Sequence, residues 1–236
     1  MGRAISGRDA QLSGVRPAFY ALRPGGWRDY VTLLHPPYTL WHLSYVAAGA
    51  ALAPRFHTDR LLLALAAFFL ALGVAAHALD ELAGRPLGTR IPGRGLVALA
   101  VTSLAGACAI GVVAAAAWGW GLLVFVAAGA VLVPAYNLEL WGGALHTDLG
   151  FALAWGAFPA LTGYFVEAQS LHAAAIAVAV YAALLSAAQR TLSTPVRRAR
   201  REHATTAGVE APERALRLLG WAATALGCAL VLARLT

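Results

Sequence analysis

The sequence predicts an all-α protein, a polytopic bundle of about seven transmembrane helices forming a single domain. Composition carries the first half of this expectation. Of 236 residues, 60% are hydrophobic and only 12% charged, and the mean hydropathy is +0.66, which is too apolar for an ordinary soluble domain. The second half comes from seven apolar runs, near 36–54, 61–83, 95–117, 119–138, 149–167, 171–189 and 215–234. Each approaches the roughly 17–25 residues that a helix needs to cross a bilayer. The strict alternation of barrel strands is missing. Residues 1–34 read as a cytoplasmic lead-in, and 35–236 as the transmembrane domain, interrupted by a basic cytoplasmic loop over 190–214.

Charge placement gives the orientation. All 18 basic residues are arginine. Five precede the first run, three lie in the 84–94 loop and seven fall between Arg190 and Arg217, whereas Arg55, Arg60 and Arg234 face the other way. Because cytoplasmic loops concentrate basic residues, the N-terminus is expected in the cytoplasm and, after seven spans, the C-terminus outside. The net charge of +7 then answers anionic lipid headgroups at the basic loops and calls for no nucleic acid. The expectation is an integral protein of a prokaryotic plasma membrane. Cys108 and Cys228 fall inside spans without a C-x-x-C partner and read as packing residues. Gly2 fits a short acylation pattern.

The first span opens on His35-Pro36-Pro37-Tyr38, with proline where its missing donor costs nothing. His42 follows two turns deeper on the same face. The second span ends in His77, Asp80 and Glu81, which share one helix face at spacings of i, i+3 and i+4. Ionisable groups at membrane depth are costly, so they point to function. Gly84 and Pro86 stop that helix, and Arg85, Arg90 and Arg94 follow. Carboxylates able to hold a cation, with guanidiniums just beyond, suit a metal-bridged phosphate.

Trp118-Gly119-Trp120 turns the chain between the third and fourth spans as an interface anchor. The fourth span delivers Tyr136 and Asn137, then Glu139, His146 and Asp148, to the face that holds His35, His42, His77, Asp80 and Glu81. His57 and His172 fall at the opposite end, and His203 in a loop. No P-loop, dinucleotide fingerprint, zinc-protease motif or serine elbow is present.

The second span and its loop, with Asp80-Glu81 followed by Arg85-Pro86-Leu87-Gly88-Thr89-Arg90-Ile91-Pro92-Gly93-Arg94, resemble the first aspartate motif of the UbiA-type membrane prenyltransferases, N-D-x-x-D-x-x-x-D then R-P-I-x-x-G-R. Tyr136, Leu149-Gly150, Gly156, Pro159 and Gly163-Tyr164 are similar to that family's element between its fourth and fifth helices. Together these cover about the first two-thirds of the chain. The resemblance implies a UbiA-like bundle that binds a prenyl diphosphate through magnesium held by two aspartate motifs on the cytoplasmic side, and transfers the prenyl group. Aligned on Asp80, the leading Asn-Asp becomes Ala76 and His77, and the last aspartate becomes Gly84. Where the second motif should close the sixth span, Ala187-Ala188-Gln189-Arg190 carries no acid, and two C-terminal helices are missing.

Three functions follow as expectations. In the first, a divergent UbiA-like enzyme acts on a prenyl diphosphate or isoprenoid lipid, with His77, Asp80 and Glu81 catalytic. Arg85, Arg90, Arg94, Tyr136, Asn137 and Asp148 then bind substrate. In the second, His42, His77, Asp80, Glu81, Glu139 and His146 form a histidine–carboxylate metal shell acting on a lipid or quinone. Magnesium belongs to the first chemistry, and iron, zinc, manganese or copper to the second, because imidazole ligands favour the softer ions. In the third, the bundle binds lipid without catalysis.

Overall fold

The computed structural model describes residues 16–201 and 208–236, so the Gly2 acylation pattern and His203 lie outside the described residues. Every regular element among the described residues is helical. A short helix α1, Trp27–Leu33, precedes α2, Pro36–Ala51. Then come α3, Thr58–Gly84, and α4, Gly93–Trp118. After α5, Leu122–Asn137, and an irregular turn over Leu140–Gly143, the chain enters α6, Asp148–Ala168. The last two helices are α7, Ala173–Arg201, and α8, Glu210–Leu235.

A helix matches each of the seven expected runs, but five of them (α3, α4, α6, α7 and α8) are long and apolar enough to cross a membrane. This is compatible with an integral membrane protein. The other two, α2 and α5, have 16 residues each. At 1.5 Å per residue that is about 24 Å, short of a hydrocarbon core of about 30 Å. The shortfall of α2 follows from its place. It is buried along most of its length between α6 and α8, so Trp41, Ser44 and Tyr45 make polar contacts inside the bundle instead of facing lipid. Trp41 Nε1 donates to the Tyr45 hydroxyl at 2.6 Å, and Ser186 on α7 donates to the same oxygen at 3.3 Å.

Small residues let these helices cross closely. A Cβ on Gly163 would stand 2.1 Å from the Val46 carbonyl oxygen, and one on Gly49 would stand 2.0 Å from that of Ala160. Two π-helical stretches, Phe69–Ala76 in α3 and Ala152–Ala157 in α6, lie one against α4 and the other against α7. Such stretches widen a helix by one residue per turn and often sit beside functional sites. Here the first delivers His77 and the second carries Trp155.

Two expectations about loops are corrected. Residues 190–201 are not a loop, because α7 continues through Pro195 to Arg201. Arginine and alanine are good helix formers, and Thr194 donates to the Arg190 carbonyl at 2.8 Å across the proline turn. Arg200 and Arg217 both pair with the buried Glu213, tying the end of α7 to α8. Nor do residues 20–34 trail as a lead-in. Asp29 is buried and accepts from Gly25 N at 2.9 Å and from Arg90 N at 3.0 Å, which fastens α1 to the α3–α4 loop.

Candidate functional site

Histidines and tyrosines gather where α2 begins and α3 ends. His35 caps α2 in the left-handed region, with φ 45°, a conformation that costs a residue with a side chain about 1 kcal/mol or more. Neighbours hold it there. The Tyr20 hydroxyl meets His35 Nδ1 at 2.7 Å, and the imidazole stacks on His77 with centroids 4.0 Å apart and planes 13° from parallel. Tyr20 meets the Tyr38 ring edge-on at 5.7 Å. Burial holds the His35 imidazole well below the usual histidine range, and His77 adds to the effect. Burial likewise pushes the Tyr20 phenol up, with Tyr38 and then the Asp80 carboxylate adding to it.

His77 Nδ1 lies 3.1 Å from the Gly73 carbonyl inside the π stretch. A carbonyl only accepts, so Nδ1 carries the proton and Nε2 is left as an acceptor. His42 lies deeper, 5% exposed, with its ring edge-on to Tyr45 at 6.0 Å and to Phe151 at 6.2 Å. Gln189 on α7 and the Tyr38 backbone approach the His42 ring, but by hydrogen-bond geometry both of its nitrogens, together with Nε2 of His35 and Oε1 of Gln189, are buried without a partner. A neutral imidazole offers one donor and one acceptor. Leaving such groups unpaired costs about 1–3 kcal/mol each, which marks this histidine cluster, called the chamber below, as the candidate site.

The acids behave differently from one another. Glu81, fully buried, spends both oxygens on the loop that follows. Leu87 N donates to Oε2 at 2.9 Å, and Thr89 N and Oγ1 both donate to Oε1 at 2.8 Å. Arg85 closes the same loop from outside, reaching the Ile91 carbonyl at 2.6 Å and that of Thr89 at 3.3 Å. Arg90 and Arg94 are exposed. Glu81 and Arg85 therefore fold the loop over the chamber and do not point into it. The Asp80 and Glu81 carboxylates both act on Tyr20, and Asp80 also acts, with Arg190 and Arg197, on Tyr136.

On the other wall, Tyr136 receives Arg190 Nη1 on its hydroxyl, while Arg190 Nε donates to Asp148. His146 stacks on the Tyr136 ring at 4.6 Å, with Nδ1 3.2 Å from the Tyr136 carbonyl. Glu139 is exposed and only 3.9 Å from His146, a loose pair. Asn137 donates back to the Val133 carbonyl of its own helix at 2.7 Å. Trp155 meets Tyr136 edge-on at 5.3 Å and, with Phe68, Leu72, Val133 and Phe158, lines an apolar groove between α3, α4, α5 and α6.

Of the expected site residues, His42, His77, Asp80 and Tyr136 come together around the chamber, with Asp148 at its rim. The six expected metal ligands do not form one shell. Among the described residues no three His, Cys, Asp or Glu side chains converge on a common ion position, because Glu81 is held by its loop and Glu139 lies on the exposed face. Tyr20, Tyr38, Gln189, Arg190 and Arg197 are additions that no local motif announces. The one hint was a polar pair, Gln189-Arg190, closing an apolar helix. Comparison with protein-family models, with curated proteins and with solved structures returned no match.

Proposed function

We propose that this chain is a membrane-embedded binding protein for an isoprenoid lipid. The hydroxyl- or carbonyl-bearing head enters the His35–His42–His77 chamber, and the chain lies in the groove beyond Trp155. The observation that carries this is the set of buried, unpartnered atoms on His35, His42 and Gln189, in a bundle that also holds the apolar groove lined by Trp155. A neutral imidazole can donate to a hydroxyl or carbonyl oxygen, and a hydroxyl can also donate to a free ring nitrogen. Neither head brings into this buried setting the charge of a fully ionised diphosphate. His77 Nε2 and the stacked His35 supply groups that can take up or return a hydroxyl proton. Glu81 is engaged by its loop, and among the described residues no three His, Cys, Asp or Glu side chains converge on one ion position. The arginine asymmetry supports a cytoplasmic chamber.

A second reading keeps the UbiA-like assignment, which rests on residues 76–94 and 136–164. Arg190 and Arg197 act on Tyr136 from the rim, and they would meet a prenyl diphosphate bound above the chamber. Tryptophan fluorescence separates the two. A short-chain prenylated benzoquinone should quench the detergent-purified protein saturably, lose most of that quenching in Trp155→Phe, and bind about tenfold more weakly in His42→Ala, as for the loss of one good hydrogen bond. Geranyl diphosphate should compete poorly. Strong competition by geranyl diphosphate, with quinone quenching unchanged in His42→Ala, would favour the second reading over the first.

A further inference from the structure

The end of the bundle opposite the histidine chamber holds a cavity of about 570 Å³ lined by Arg55, His57, Arg60, Trp118, Glu167 and His172. It forms where α3 starts and α4 and α6 end. Glu167, the penultimate residue of α6, is 2% exposed. Its Oε2 accepts twice from His57, from the backbone N–H at 2.8 Å and from ring Nδ1 at 2.9 Å. Its Oε1 is as deeply buried and has no partner. A buried carboxylate half supplied with donors is incomplete, since charged acceptors are the costliest to leave bare.

The opposite charge stands beside it. Arg60 crosses the end of α6, with Nη1 3.2 Å from the Val166 carbonyl and 3.3 Å from that of Glu167, and its guanidinium lies 5.1 Å over the Trp118 ring. Arg55 is exposed at the mouth. A cavity with one unmet acceptor at its floor and two guanidiniums on its wall fits a ligand carrying an N–H cation and an anion a few bonds apart. Its position at the ends of apolar helices is the depth of phospholipid headgroups.

We propose that this cavity binds a phosphoethanolamine group, with the primary ammonium donating to Glu167 Oε1 and the phosphodiester lying between Arg55 and Arg60, and that a membrane phospholipid supplies it. Phosphatidylcholine shares the phosphodiester but has no N–H, and phosphatidylglycerol lacks the cation. Native mass spectrometry of the full chain in detergent, offered the three chain-matched lipids, should show phosphatidylethanolamine retained about tenfold over either of the others, the worth of one charge-assisted hydrogen bond. In Glu167→Gln, which turns a donor toward the ammonium, the preference over phosphatidylcholine should vanish. Arg55→Ala changes an exposed residue, so the fold should persist. It should weaken phosphatidylethanolamine and phosphatidylglycerol together and leave the preference over phosphatidylcholine intact. Soluble phosphoethanolamine at the same concentration should not displace the lipid, and if it does, the occupant is a soluble zwitterion. Equal retention of all three lipids by the unaltered protein, or Arg55→Ala without effect, would overturn the proposal.

Discussion

Glu81 sits one helical turn from His77 in sequence, and an acid at that depth is a natural metal ligand. Three donors from the loop occupy it instead. Sequence spacing places side chains on a helix face, but it does not reveal which backbone groups a following loop will aim at them. Glu81→Gln should therefore lower stability by about 1–3 kcal/mol, because the new amide group opposes a loop N–H. Lipid retention should change little beyond that. A thermal midpoint equal to that of the unaltered protein would show that the loop does not depend on the carboxylate. His35 makes a pH prediction. Its folded value lies below the ordinary one, so the folded state binds fewer protons than the unfolded chain. The stability it contributes is present above about pH 6.5 and is lost as pH falls toward the folded value. Thermal midpoints should drop between pH 7.5 and 5.5, and His35→Gln should show a shallower drop. An equal slope in both proteins would remove His35 as the sensing group.

The helices were the most readable elements, because apolar runs bounded by glycine, proline and arginine leave little choice in lipid. Less readable were features decided by neighbours. The π stretches in α3 and α6 have no local signature in Phe69–Ala76 or Ala152–Ala157, and they arise where the helices pack around the chamber. The extension of α7 to Arg201 was hidden because a run of arginines after Pro195 resembles a loop, until Glu213 on α8 supplies the partner. Close crossings of α2 and α6 were signalled only as small residues. Gly163→Ala would bring a methyl group 2.1 Å from the Val46 carbonyl, so the helices must separate. A loss of about 2–4 kcal/mol, or failure to accumulate as folded protein, is expected, and a thermal midpoint within a degree of the original would show that the crossing is loose.

At the scale of the whole molecule, composition announced a helical membrane bundle, and the arginine distribution supports one orientation. In a background lacking Cys108 and Cys228, cysteines placed at positions 90 and 198 should label from the same side of intact vesicles, and one at 55 from the other. Labelling of 90 and 198 from opposite sides would overturn the seven-span expectation. What composition could not announce is the chamber, assembled from Tyr20, His35, His42, His77 and Gln189 across most of the chain's length. They meet because α2, held between α6 and α8, also packs against α3 and α7. The most direct measurement is the isoprenoid lipid that copurifies with the protein from its native membrane, identified by mass spectrometry and compared with that of His42→Ala. If the chamber holds the lipid head, a prenylated lipid with a hydroxyl or carbonyl head should be enriched on the unaltered protein over the bulk membrane and lost from the variant. Equal amounts on both, at the proportion found in the bulk membrane, would contradict it.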